Sequence, residues 1–190
     1  MNSDIKNFDY SIILTACINP VNMPFLLRSS TNDRLNDYKN AFEKWCNNRF
    51  VKKIIFIENS GYDLTFFRDE AKKFPQKKIE IISNDLNNTF EKKLGKGYGE
   101  FLCLREVFSN SIIAKETEYF LKITGRYYLK NFNRIYYEFK ENKSDIQIYL
   151  KNNLTYADTN ILGGSKNFFE NYVIPYASKT NDTRGVFIEH

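Results

Sequence analysis

The densest chemistry in the chain sits in the stretch YFLKITGRYY, Tyr119 to Tyr128. Lys122 and Arg126 bracket Thr124-Gly125, so two cations, a hydroxyl and a glycine meet at one turn. Ammonium and guanidinium groups make charge-assisted hydrogen bonds, and glycine lets a ligand approach the backbone closely. That set suits an anionic, oxygen-rich ligand such as a diphosphate. The same residues also fit a core strand ending in a solvated basic turn, and taken alone they leave both readings open. The element that must present them is the apolar run Tyr119, Phe120, Leu121 and Ile123, which predicts a buried strand. In open α/β sheets, ligands bind just beyond the carboxyl ends of the strands.

Two further strand tips carry polar groups. Ser11 to Ile18, SIILTACI, is a continuous apolar strand suited to the middle of a parallel sheet, with Thr15-Ala16 near its end. Ile54 to Ile57 predicts a second strand, ending in Glu58-Asn59-Ser60-Gly61. An acid before a Ser-Gly turn can hydrogen-bond a ribose or a base edge, and Glu58 can equally cap the following helix. Gly95-Lys96-Gly97 opens a helix whose inner face is Phe101, Leu104, Val107 and Phe108. Free backbone N–H groups at such a start favour an anion. The stretch is neither a P-loop, lacking Gly-Lys-Ser/Thr, nor a Rossmann fingerprint, since it follows a loop and not a first strand.

The remaining elements frame these tips. Asn32 or Asp33 can cap a helix with Leu35, Tyr38, Phe42, Trp45 and Cys46 on its core face and Arg34 elsewhere. A helix over Tyr62 to Phe74 is ended by Pro75, and Ile79 to Ser83 is a third strand. Asn84 to Lys93 reads as a polar loop, and Phe132 to Lys140 as an amphipathic helix. Ile146 to Leu150 reads as an edge or antiparallel strand. Tyr156 to Leu162 runs into a Gly163-Gly164-Ser165 turn before a last helix, and Val186 to Ile188 is a short strand. The order predicts one α/β domain over residues 1–190, three-layer α/β/α with a mostly parallel sheet.

Composition narrows the partners. With 42% hydrophobic and 27% charged residues the chain is globular. Its net charge of +5 favours acidic small molecules or a membrane surface and is too diffuse to argue for nucleic acid. Cys17, Cys46 and Cys103 are widely spaced in apolar segments and read as reduced thiols of a cytoplasmic protein. The start is polar and no run is long enough to span a bilayer, so membrane contact is at most peripheral.

Taken in order, ILTACINP, ENSGYDL, GKGYGE, KITGRYY and FIEH resemble bacterial glycosyltransferase-like proteins of capsule and lipopolysaccharide clusters. Those enzymes have the GT-A fold of nucleotide-sugar glycosyltransferases. The resemblance implies a nucleotide-sugar donor held by Thr15, Ala16, Glu58, Asn59, Ser60, Lys96, Gly97, Lys122, Thr124, Gly125 and Arg126. It implies a glycan or lipid-linked glycan acceptor near Arg28 and near Gly163, Gly164 and Ser165. It points to Glu189 as the base that takes the acceptor proton, with His190 beside it and Asp158 as a second carboxylate. One departure matters: where GT-A enzymes carry a metal-binding Asp-x-Asp, this chain has Thr124-Gly125-Arg126. Lys122, Arg126 and Lys96 would then neutralise the leaving diphosphate without a metal. Because Lys122 and Thr124 share one strand face, Arg126 beyond the turn is favoured as the ligand. The alternatives are a nucleotidyltransferase, or a non-catalytic or degenerate domain that binds nucleotides or acidic glycans.

Overall fold

A computed structural model describes residues 8–142, 144–151 and 156–185 of the chain. Strands and helices alternate through β1 (Tyr10–Ala16), α1 (Thr31–Asn47), β2 (Lys53–Glu58), α2 (Thr65–Lys72) and β3 (Lys78–Ser83). After two short 3₁₀ turns come α3 (Gly95–Asn110), α4 (Ile112–Lys115), β4 (Tyr119–Thr124), α5 (Phe132–Glu141), β5 (Ile146–Lys151) and β6 (Tyr156–Ser165). The six strands form one sheet in the order β3-β2-β1-β4-β6-β5. β1 to β4 are mutually parallel, and β5 and β6 are antiparallel additions, as the alternation in IQIYL suggests.

β1 is buried along its whole length because helices cover both faces of the sheet, which is why its sequence is apolar without alternation. Successive side chains still point to opposite faces. Ile12 and Leu14 join Phe42, Trp45, Phe56 and Phe139 in the layer under α1 and α5, whereas Ile13 joins Ile55, Val107 and Phe120 under α3. Aromatic rings knit the first layer: Phe56 stacks on Phe67 at 4.4 Å, and Trp45 meets Phe132 edge-on at 4.9 Å. The high aromatic content is thus largely core.

Several expectations shift in the structure. Ser30, not Asn32 or Asp33, caps α1, its hydroxyl accepting from the Asp33 amide at 3.3 Å. Arg34, assigned to the outer face, is buried. Gly163, Gly164 and Ser165 are not a turn but the last residues of β6, in register with Leu121, Phe120 and Tyr119. A Cβ on Gly164 would lie 2.6 Å from the Asp145 carbonyl oxygen and 2.8 Å from the Phe168 ring. The glycine is there to let strands and helix touch, which looks like turn chemistry in sequence. Ser165 does cap the next helical turn, accepting from the Phe168 amide at 3.2 Å. The expected strand Val186 to Ile188 lies outside the described residues. Among those described, no helix is long and apolar enough to cross a membrane.

Trp45 is fully buried and its indole N–H donates to the Tyr127 carbonyl at 2.8 Å, joining α1 to the segment after β4. Trp45→Ala is expected to cost about 3–5 kcal/mol of folding stability, measured by urea unfolding.

Candidate functional site

The parallel strands end together, and a cleft of about 710 Å³ opens over the tips of β1, β2 and β4. The start of α3, the loop after β1 and the turn after β4 form its walls. Its floor is a charged pair. Lys122 extends from β4 toward α3, where its Nζ lies 2.6 Å from Glu100 Oε1 and donates to the Thr159 carbonyl at 2.6 Å. Thr15 Oγ1 donates to the same Glu100 oxygen at 2.8 Å. Lys122 is 1% exposed and lies beneath the cleft, so it does not meet a ligand directly as the sequence reading had it.

Glu58 is also turned inward. Its carboxylate accepts backbone N–H bonds from Ile18 at 2.9 Å, and from Ser60 and Tyr62 at 3.0 Å. The Ser60 hydroxyl, which also donates to Glu58, accepts from the Asn19 amide at 3.0 Å. The pair pins the β1 and β2 tips together, and only Asn59 between them lines the cleft. This is neither a helix cap nor a ribose contact. Gly125 is structural in the same way: its amide donates to the Thr15 carbonyl at 2.8 Å, and a Cβ would stand 2.9 Å from that oxygen.

Thr15, Ala16, Lys96, Gly97, Thr124 and Arg126 do come together on the cleft wall. Thr124 Oγ1 lies 3.4 Å from Asn160 Oδ1, and the Arg126 guanidinium rests over the Tyr127 ring, 5.1 Å from its centre. The start of α3 already holds an anion, the protein's own. Asp182 Oδ2 accepts from the Lys96 amide at 3.0 Å, and a Cβ at Gly95, where φ is +87°, would fall 1.9 Å from Asp182 Cγ. Burial pushes the Asp182 carboxyl upward in pKa, and the Lys96 bond and charge pull it partly back.

The loop after β1 is stapled by Arg34. Its Nε donates to the Cys17 carbonyl at 2.8 Å, one Nη to the Arg28 carbonyl at 3.2 Å and the other to the Tyr38 hydroxyl at 3.1 Å. One guanidinium thus closes both ends of the loop, as in an Ω-loop. The tip leaves Val21, Phe25 and Leu27 exposed, with Phe25 at φ +55°. Arg28 borders the cleft but is ion-paired with Asp37, so it is not a free cation.

Of the remaining expected residues, Asp158 accepts from the Asn160 amide at 3.1 Å and from Asn160 Nδ2 at 2.8 Å, orienting Asn160, which does line the cleft. Gly163, Gly164 and Ser165 pair with the opposite end of β4, away from the cleft. Glu189 and His190 lie outside the described residues. Sequence reasoning missed Glu100, Arg34, Asn87, Asn160 and Asp182. Glu100 alone carried a signal, standing one helical turn after Lys96 in GKGYGE.

Among the described residues, three buried side-chain atoms have no hydrogen-bond partner: Asn59 Oδ1, Asn87 Oδ1 and Arg126 Nε. All three residues line this cleft. An unpaired buried polar atom costs about 1–3 kcal/mol, which a ligand supplying the missing partner would recover. Among the described residues no three His, Cys, Asp or Glu side chains converge, and the cleft carboxylates are held by Arg28, Lys122 and the Lys96 amide. Among the described residues the carboxylates and thiols of the cleft do not converge into a metal site.

Two predictions follow from this geometry. Glu58→Gln replaces an acceptor with an amide donor facing backbone N–H groups, and should lower stability by about 2–3 kcal/mol in urea unfolding. Burial pushes the Cys17 and Cys46 thiols up to about 12 and Cys103 also well above the usual thiol range, with Arg34 pulling Cys17 partly back. A raised pKa leaves almost no thiolate at neutral pH. Alkylation by iodoacetamide at pH 7 should therefore be slow in the native protein and fast in urea.

No protein-family model matches the chain, and no curated protein matches it in sequence. Solved structures do match. Core-mannan synthase A from Aspergillus fumigatus, in its Mn/GDP form, is 12% identical over 100% of this chain and 68% of its own, with a TM-score of 0.50. The inositol-1-phosphate CTP transferase from T. maritima is 14% identical over 87% of this chain and 74% of its own, with a TM-score of 0.49. The 4-diphosphocytidyl-2C-methyl-D-erythritol synthase of Anaerococcus prevotii is 13% identical over 90% and 74%, with a TM-score of 0.48. The fold is that of the nucleotide-diphospho-sugar transferases.

Proposed function

We propose that this chain is a bacterial glycosyltransferase that moves a sugar from a nucleotide-sugar donor to a glycan or lipid-linked glycan acceptor of a capsule or lipopolysaccharide. The observation that carries the reading is Arg126, placed in the cleft just past the central strand with a buried, unpartnered Nε. In such a transfer the acceptor oxygen bonds to the anomeric carbon while the bond from that carbon to the diphosphate oxygen breaks. The electron pair leaves with the diphosphate, and a guanidinium held in place beforehand stabilises the developing charge.

Lys96, exposed at the mouth, supplies a second cation. Arg28 and Arg34 are already committed to Asp37 and to backbone carbonyls, so the positive charge on offer suits a leaving diphosphate better than a triphosphate. Glu189, beside His190, is the proposed base, with Asp158 second. A lipid-linked acceptor would bring the protein to the cytoplasmic surface of the inner membrane as a peripheral partner.

The test is calorimetric titration with UDP-, GDP-, CMP- and dTDP-sugars, each with magnesium and with EDTA, followed by product analysis. Binding that survives EDTA and release of a nucleotide with a new glycoside are expected. Pyrophosphate released from a nucleoside triphosphate would instead establish nucleotidyl transfer. Arg126→Ala should weaken the donor by about 10–100-fold, the worth of a charge-assisted hydrogen bond. Unchanged affinity would remove Arg126 from the diphosphate site.

A further inference from the structure

Beside α3 the cleft is lined by three residues that offer hydrogen-bond acceptors, Glu100, Asn59 and Asn87. In Glu100, Oε1 is taken by Thr15 and Lys122 and Oε2 accepts no hydrogen bond from any described residue, in a side chain 19% exposed. One residue earlier, the Gly99 carbonyl accepts from Asn59 Nδ2 at 3.3 Å, which fixes that amide and leaves Asn59 Oδ1 unpaired. The Asn59 carbonyl in turn accepts from the Asn87 amide at 2.7 Å, and Asn87 Oδ1 is unpaired as well. Asn59 and Asn87 are 5% and 1% exposed, so neither shortage is met by bulk water.

A phosphate brings no donor to such a set at neutral pH and would meet the Glu100 charge. The set suits a group carrying several O–H or N–H donors in fixed positions. A sugar ring meets that demand, since each hydroxyl donates once and a carboxylate oxygen can accept from neighbouring hydroxyls. The other cleft carboxylates are spent, Asp37 on Arg28 and Asp182 on the Lys96 amide.

We infer that Glu100, Asn59 and Asn87 form the subsite for the hydroxyl groups of the transferred sugar, with Glu100 determining specificity. The inference rests on the nucleotide-sugar reading and goes beyond it by dividing the cleft. The diphosphate lies against Arg126 and Lys96, and the sugar against Glu100, Asn59 and Asn87. Lys122, sealed beneath, is a positioning residue that fixes the carboxylate without touching the ligand.

Calorimetry on the full chain tests this with UDP-glucose and GDP-mannose, their deoxy-sugar analogues, and free UDP and GDP. Glu100→Gln keeps the side chain's shape and its carbonyl acceptor for Thr15, and circular dichroism checks that it folds. It should weaken the nucleotide sugar by about 10–100-fold while changing the free diphosphate less than about twofold, since the lost ion pair with Lys122 lowers folding stability whichever ligand is bound and only the sugar loses a charged hydrogen bond. Lys122→Met should lower the same sugar-to-diphosphate ratio. Wild-type protein should reject the deoxy analogue whose missing hydroxyl faces Glu100, and Glu100→Gln should largely lose that discrimination. Equal loss of UDP and UDP-glucose in Glu100→Gln would place the nucleotide on these acceptors and overturn the inference, leaving the transferase reading intact. An unchanged ratio would do the same. If the wild type binds no nucleotide sugar at all, the transferase reading falls and takes this inference with it.

Discussion

The Lys122–Glu100 pair is the constraint on which the functional end of the molecule depends. A lysine buried in a central strand carries a large desolvation cost, and only a well-placed anion and a full set of acceptors make it tolerable. Glu100 and the Thr159 carbonyl supply them, from α3 and from β6, and Thr15 of β1 completes the cluster. Four elements are thereby held at one point directly beneath the cleft. Removing one partner of such a pair costs about 3–5 kcal/mol, because the survivor is left charged and buried. The pair also dictates how closely α3 must approach the sheet. Gly99, beside Glu100, has room for only a tight Cβ, 3.2 Å from Phe90 and 3.3 Å from Asn59 Nδ2.

Around this anchor the cleft is divided by chemical sense. The turn after β4 brings a guanidinium with an unpaired donor, and the segments after β2 and β3 bring the unpaired acceptors of Asn59 and Asn87. The helix terminus, which would ordinarily draw a phosphate, is already quenched by Asp182. The Arg126 Nε, by contrast, has no partner among the described residues. Glu58 and Arg34 take no part in this division, but without their bonds to backbone groups the β1 tip and the loop above it would have no fixed position.

What could be read from the sequence was what burial writes as pattern. The runs SIILTA, KIIFIE and YFLKIT declare parallel strands because both of their faces are covered, and the alternation in IQIYL declares an edge. Polar residues whose partners are distant in the chain left no such trace. Arg34 looks like a surface residue until the Cys17 and Arg28 carbonyls are brought to it, and Lys122 looks like a ligand until Glu100 is brought over it. Glu58 looked like a functional acid because an acid at a strand tip commonly is one, yet here nearby N–H groups consume it. Gly163 and Gly164 looked like a turn because close packing and chain reversal both call for glycine. In each case the sequence recorded the residue type correctly and the tertiary partner decided its role.

The placement of β1 has a consequence for how the chain is made. β1 can pair with β2 early, since α1 alone separates them, but its other edge waits for β4, with Tyr10 opposite Tyr119. During synthesis the half-built sheet therefore exposes an apolar strand edge until Thr124 has left the ribosome, and such edges recruit other chains. A strand buried on both sides in the finished sheet is, until then, an open edge.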